Sequence, residues 1–198
     1  MPSGLDIYRK SLRDNVRGYF GQVLDYDQFW DAMTATIQRR LPQAWYEGAR
    51  DCGVQPTDLS PEERMALQQA IVNEMGFIAG LAQAIEEARA QHPDRKTPTS
   101  ALFSRIDLWA ARYSDLQSRA RVMACEDQKL AWTLGPTKEH CPSCLKLSGK
   151  VKRASYWRRV NVYPQSPPNP NLECNGFGLC QLLPTDERCS PGPLPRLP

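Results

Sequence analysis

The sequence predicts a mostly α-helical domain of about four helices followed by a small cysteine-rich β module, and three observations carry that prediction. Apolar residues recur at three- and four-residue spacing through the first two thirds of the chain, the signature of buried helical stripes. After Trp132 that periodicity stops, and Gly, Pro and Cys become frequent. Short apolar segments at 130–134 and 181–183 then read as strands. The division that follows is a helical domain over residues 1–129, a cysteine-rich module over 130–184 and a flexible Pro-rich tail over 185–198.

The first helix is expected over 5–20, followed by Gly21 and by Asp25, a residue suited to cap the next one. From Tyr26 the apolar positions Trp30, Met33, Ile37, Leu41 and Trp45 form one stripe, with Pro42 expected to kink or break the helix. Asp51-Cys52-Gly53 and Pro56 punctuate a loop. Ser60-Pro61-Glu62-Glu63 is a helix start: serine caps, proline takes the first position and Glu63 reaches back. Leu67, Ile71, Met75, Ile78, Leu81 and Ile85 give this third helix its apolar face, and His92-Pro93 ends it. A fourth helix is expected over 100–129, with Leu102, Ile106, Trp109, Tyr113, Leu116 and Met123. Arg105, Arg112 and Arg119 recur every seven residues and would share one face, either a solvated surface or a stripe meeting phosphate or an acidic partner.

The chain has 198 residues, enough for one ordinary domain and a small appendage, with 41% hydrophobic and 24% charged residues, as in soluble folded proteins. No apolar run approaches the roughly 20 residues that cross a bilayer, so no membrane association is expected. The N-terminal residues lack a basic stretch followed by an apolar core; no signal peptide is expected, and the chain is expected to stay in the cytosol. In that reducing setting seven cysteines point to metal binding rather than a disulfide framework. The formal charge is +3, yet residues 129–159 hold eight basic side chains against Glu139 alone, a local +7 that leaves −4 for the rest.

Cys141-Pro142-Ser143-Cys144 has the two-residue gap that lets both thiolates of a tight turn face one metal ion. Cys174 and Cys180 follow with five residues between them, two of them glycines able to form a wider knuckle. Four thiolates complete a tetrahedral zinc ion and leave no position for water or substrate, so the expected site is structural, in a zinc-ribbon-like module. It suits a segment too poor in apolar residues to fold alone, because metal-binding energy becomes folding energy. His140 is an alternative ligand for one cysteine, and Cys189 is a spare candidate. Competing readings are free buried thiols, disulfides, or a redox dithiol at the first pair; the last lacks the surrounding βαβ pattern. Cys52 and Cys125 are expected to be small core residues.

Trp132, Cys141-Pro142-Ser143-Cys144, Leu147-Ser148-Gly149-Lys150, a proline-rich link, Cys174, Cys180 and Leu182-Leu183-Pro184 together resemble the phage head morphogenesis proteins, minor head proteins similar to protein F of phage Mu. The resemblance covers residues 105–184; the first hundred residues share only helical character. Asn169-Pro170-Asn171 stands where the family has a histidine, and the family's last two cysteines are one residue apart. The resemblance implies a virion component made in the host cytoplasm, partnered by capsid or portal proteins of the same phage, and acting in head assembly or in handling packaged DNA.

The alternative from a different class is a stand-alone zinc-dependent nucleic-acid-binding protein. Lys150, Lys152, Arg153, Arg158 and Arg159 would contact phosphates, and Tyr156 and Trp157 would stack on bases unless they fill the core of the module. No enzyme is expected. The two histidines, His92 and His140, have no evident triad partners, and no Gly-rich phosphate loop, nucleophile elbow or His-Glu-x-x-His run is present.

Overall fold

A computed structural model describes residues 3–125, 128–164, 169–176 and 178–198. The chain forms two units, 1–43 with 65–113, and 44–64 with 114–198. This differs from a boundary at residue 129: the end of the second helix and most of the sixth belong with the cysteine module.

The protein is mostly helical, with a small three-stranded antiparallel sheet. In the first unit, α1 (Gly4–Phe20) starts at Ser3, whose hydroxyl accepts from the Asp6 N–H while the Asp6 carboxylate accepts from the Ser3 N–H. The same reciprocal box, Asp25 with Gln28, opens α2 (Tyr26–Arg50). α2 runs through Pro42 without ending there, so the helix is not broken at the proline. Leu41, Ala44 and Trp45 are fully buried on either side of it, and that burial outweighs one missing N–H bond. Ser60 and Glu63 form the expected box at the start of α3 (Pro61–Met75), with bonds of 2.8 and 3.2 Å.

The third expected helix is two helices. Gly76 and Phe77 separate α3 from α4 (Ile78–Gln91), and the Phe77 N–H turns back to the Glu74 carbonyl at 3.2 Å. The fourth divides as well, into α5 (Ser100–Ala110) and α6 (Arg112–Ala124), on either side of Ala111. The arginine stripe therefore crosses a break. Arg112 pairs with the buried Glu74 at 3.0 Å, which corrects the reading of one continuous cationic face. Tyr8, Leu12, Val16, Phe29, Met33, Ile37, Ile78, Ile85, Ile106 and Tyr113 are fully buried in this first unit. Arg13 joins α1 to α5 through both carboxylate oxygens of Asp107, at 2.8 and 2.6 Å.

The second unit holds the sheet, in the order β2-β1-β3: β1 (Lys129–Thr133), β2 (Val151–Arg153) and β3 (Gln181–Pro184). β1 and β3 match the two strands expected from sequence. Leu130 faces Lys152 across one edge of β1, and Trp132 faces Leu182 across the other. Two short helices complete the module, α7 (Pro142–Leu147) and α8 (Ala154–Arg159). Leu130, Trp132, Leu147, Trp157, Leu172 and Leu182 form its core together with Cys144 and Cys180. Glu126, Asp127 and Phe177, together with residues 165–168 of the proline-rich link, lie outside the described residues.

Two expectations are corrected in this unit. The terminal segment is not a free tail. The Ser190 N–H donates to the Val151 carbonyl at 2.8 Å, the Val151 N–H donates to the Ser190 hydroxyl at 3.0 Å, and Leu194 and Leu197 pack against the core. Cys52 and Cys125 do lie at the core, Cys125 buried in it and Cys52 packed against it, but they are joined as a disulfide, with Cα atoms 5.3 Å apart.

Candidate metal centre

The hairpin connection between β1 and β2 presents the first cysteine pair. Cys141 adopts an extended conformation and caps α7, with its sulfur accepting from the Cys144 N–H at 3.4 Å; Pro142 takes the first helical position. This turn sets both sulfurs on one side. Cys174 comes from a loop in which Asn175 and Gly176 have positive φ, 49° and 82°, turning the chain sharply behind the sulfur. Cys180 stands at the entry to β3, beside the end of β1.

The sulfurs of Cys141, Cys144 and Cys174 lie within 4.8 Å of one another and could hold a metal ion. Tetrahedral thiolate zinc, with bonds of ~2.3 Å, sets its sulfurs about 3.8 Å apart, so a small inward adjustment would close the cluster on an ion. Cys180 adjoins this trio through Cys144, whose sulfur interacts with those of both Cys174 and Cys180. Cys189 is not in the cluster.

The electrostatics suit anionic sulfur. The hydrogen bond from Cys144 and backbone N–H groups of Gly176 and Gly178 bring the Cys174 thiol down to about 5, against its partial burial. Cys180 falls to about 6, again first through Cys144, then through the Gly135 N–H and His140. Cys144 is pushed far up by its neighbours Cys174 and Cys180 and by burial. Gly135 has a steric role as well: a Cβ there would lie 2.2 Å from the Leu179 carbonyl oxygen, so only glycine allows this approach of β1's end to Cys180. Thr137 donates its hydroxyl to the Glu139 carbonyl at 2.9 Å and lies 3.2 Å from Nδ1 of His140, which fixes the position of the ring.

These shifts fix the expected pH dependence of metal binding. A lowered thiol contributes stability that is present above the ordinary thiol range and lost as pH falls through its folded value; the raised Cys144 has the opposite sign. A metal ion displaces the Cys144 proton throughout the neutral range. It competes with a proton on Cys180 only below about 6, and on Cys174 only below about 5. Affinity should therefore fall by about tenfold per pH unit for each proton displaced, and steepen on crossing 6 and again on crossing 5. Chelator competition titrations from pH 8 to 4.5 measure this slope; a pH-independent affinity would contradict it.

Two residues that sequence reasoning passed over hold the two cysteine loops together. Ser143, fully buried between the first two cysteines, accepts the Glu173 N–H at 3.1 Å and so ties the first turn to the residue before Cys174. Ser143→Ala leaves that N–H without its acceptor, and urea denaturation of the metal-loaded protein should show a loss of about 1–3 kcal/mol. Asn169, 2% exposed, donates to the carbonyls of Asn161 and Tyr163 at 3.4 Å and accepts from the Asn171 N–H at 3.2 Å. Its backbone N–H donates to the Asn175 carbonyl at 3.2 Å, setting the loop that carries Cys174. In the sequence Asn169 stood out only as part of the segment that replaces the family's histidine.

The basic residues are divided. Arg153, Arg158 and Arg159 are exposed, and Lys150 is partly so. Lys152 is buried, its ammonium donating to the Ser190 carbonyl at 2.6 Å and to that of Gly192, so it leaves the candidate phosphate surface. Trp157 is fully buried against Trp132, ring centres 5.8 Å apart, so it fills the core of the module and does not offer itself to a base. Tyr156 lies between Lys152 and Arg159, at 5.1 and 5.0 Å from its ring centre. No family model matches this chain, and neither a curated protein nor a solved structure matches it.

Proposed function

We propose that this chain is a structural protein of a phage head, in which Cys141, Cys144, Cys174 and Cys180 hold one zinc ion that stabilises the C-terminal module. The observation that carries the metal reading is the convergence of three sulfurs within 4.8 Å, with backbone N–H groups aimed at thiolates and Cys180 alongside. Sulfur-only donors select zinc among the divalent ions that keep tetrahedral geometry without redox chemistry. Four thiolates would close the ion to substrate, so its contribution is folding energy and no catalytic step is assigned to it. The head-protein reading rests on the resemblance of residues 105–184 to the phage minor head proteins. Its partners would be capsid or portal subunits of the same phage. Detection in purified particles by peptide mass spectrometry, with co-sedimentation on assembled capsid or portal, supports it; absence from particles contradicts it.

A second reading, nucleic-acid binding by the module, is favoured by the exposed Arg153, Arg158 and Arg159 around α8. Each phosphate contact adds close to one unit to the slope of log affinity against log salt. Arg158→Glu with Arg159→Glu should then flatten that slope by about two, measured by fluorescence anisotropy on duplex DNA. An unchanged slope removes DNA from the reading and leaves the head-protein reading standing.

A further inference from the structure

We infer that Cys52 and Cys125 form a redox site of their own, a thiol pair arranged to be oxidised in the folded chain by a small-molecule disulfide, independently of the metal centre. Their Cα separation of 5.3 Å lies in the range a disulfide bridges. The end of α2 and the second half of α6 are held together by three further contacts. Gln117 donates to Glu47 at 2.7 Å, and Arg121 donates to Asp51 at 2.6 Å. Gly48 lies so close to the Gln117 backbone that a Cβ would be 2.3 Å from its carbonyl oxygen. These contacts place the two thiols side by side whether or not they are bonded, which gives each a high effective concentration at the other.

The pair is also asymmetric. Cys52 is partly exposed while Cys125 is 3% exposed. Oxidation therefore proceeds from the Cys52 side. The Cys52 thiolate attacks an external disulfide RSSR, forming a mixed disulfide and releasing one RSH; the Cys125 thiolate then displaces the second RSH. Two protein thiols lose two electrons and two protons, and RSSR becomes two RSH. Reduction has to enter through the same exposed sulfur. The two sets of cysteines border one apolar core, yet the possible metal ligands converge without this pair, so the chain carries an oxidised cross-link and a reduced metal-binding set at once.

The test equilibrates the full, zinc-loaded chain with reduced and oxidised glutathione, quenches with acid, and maps each cysteine by differential alkylation and peptide mass spectrometry. The expected result is one disulfide, Cys52–Cys125, with Cys141, Cys144, Cys174 and Cys180 still reduced and one metal ion retained. Arg121→Met should lower the oxidation equilibrium constant several-fold at unchanged metal content, because it loosens the alignment of the two helices. Cys52→Ser should abolish the disulfide and keep the metal. Free Cys52 and Cys125 in fully oxidised glutathione would overturn the inference. So would oxidation of the cluster cysteines ahead of this pair, or an equilibrium constant unmoved by Arg121→Met.

Discussion

Cys174→Ser should strip the protein of stoichiometric metal and unfold the module around β1, α7, β2, α8 and β3, whereas Cys189→Ser should change neither. The contrast follows from position: the Cys174 sulfur lies in the cluster and receives N–H groups from Gly176 and Gly178, while Cys189 does not belong to it. The magnitude is large because structural zinc contributes about 10–16 kcal/mol to the folding of small metal-dependent units. Two of the buried core residues, Cys144 and Cys180, are themselves candidate ligands, so losing the ion disturbs the core directly. Hydrogen exchange of the amides in 129–184 reads the loss directly. Protection that survives in the Cys174→Ser variant would mean that apolar packing alone holds the module.

Trp157→Ala is expected to cost about 3–5 kcal/mol, the range for removing a large aromatic side chain from a packed core. Trp157 is fully buried, stacks at a tilt on Trp132 and donates Nε1–H to the Leu130 carbonyl at 3.2 Å, so the variant loses packing and leaves a strand carbonyl without its partner. Trp157→Phe keeps an aromatic ring in the core and should cost only about 1–3 kcal/mol for the lost hydrogen bond and reduced volume. Chemical denaturation of the metal-loaded variants separates these values. If Trp157→Ala were as stable as the parent chain, the side chain would have to be outside the core, and the base-stacking reading would regain its footing.

Much of this architecture was legible in the residues, and the exceptions have physical causes. The boxes at Asp25 and Ser60 are local, so their chemistry is visible within four residues. β1 and β3 were visible because apolar segments flanked by Gly, Pro and Cys have few other uses. The breaks at Gly76 and Ala111 were hidden because apolar spacing continues across them, and α2 is not broken at Pro42 because burial on both sides holds it together. β2 has three residues and α7 and α8 six each, too few for a periodic signal.

The candidate site was legible in its ligand types and not in its supports. A two-residue cysteine gap announces a metal turn, but nothing near Ser143 announces a bond to Glu173 thirty residues later. Lys152 read as a surface cation because its acceptors, the Ser190 and Gly192 carbonyls, belong to a segment whose proline content suggested a free tail. The Cys52–Cys125 pairing spans 73 residues, and only the packing of α2 against α6 in the second unit brings its partners together.

The central claim is that a thiolate-bound metal ion holds the C-terminal module together, and elemental mass spectrometry of the purified chain, kept reduced and free of added metal, tests it most directly. One zinc ion per chain, retained through gel filtration and released together with the module's hydrogen-exchange protection by a strong chelator, is the predicted result. A chain that carries no metal, and whose module stays protected with every cluster thiol free, would contradict it.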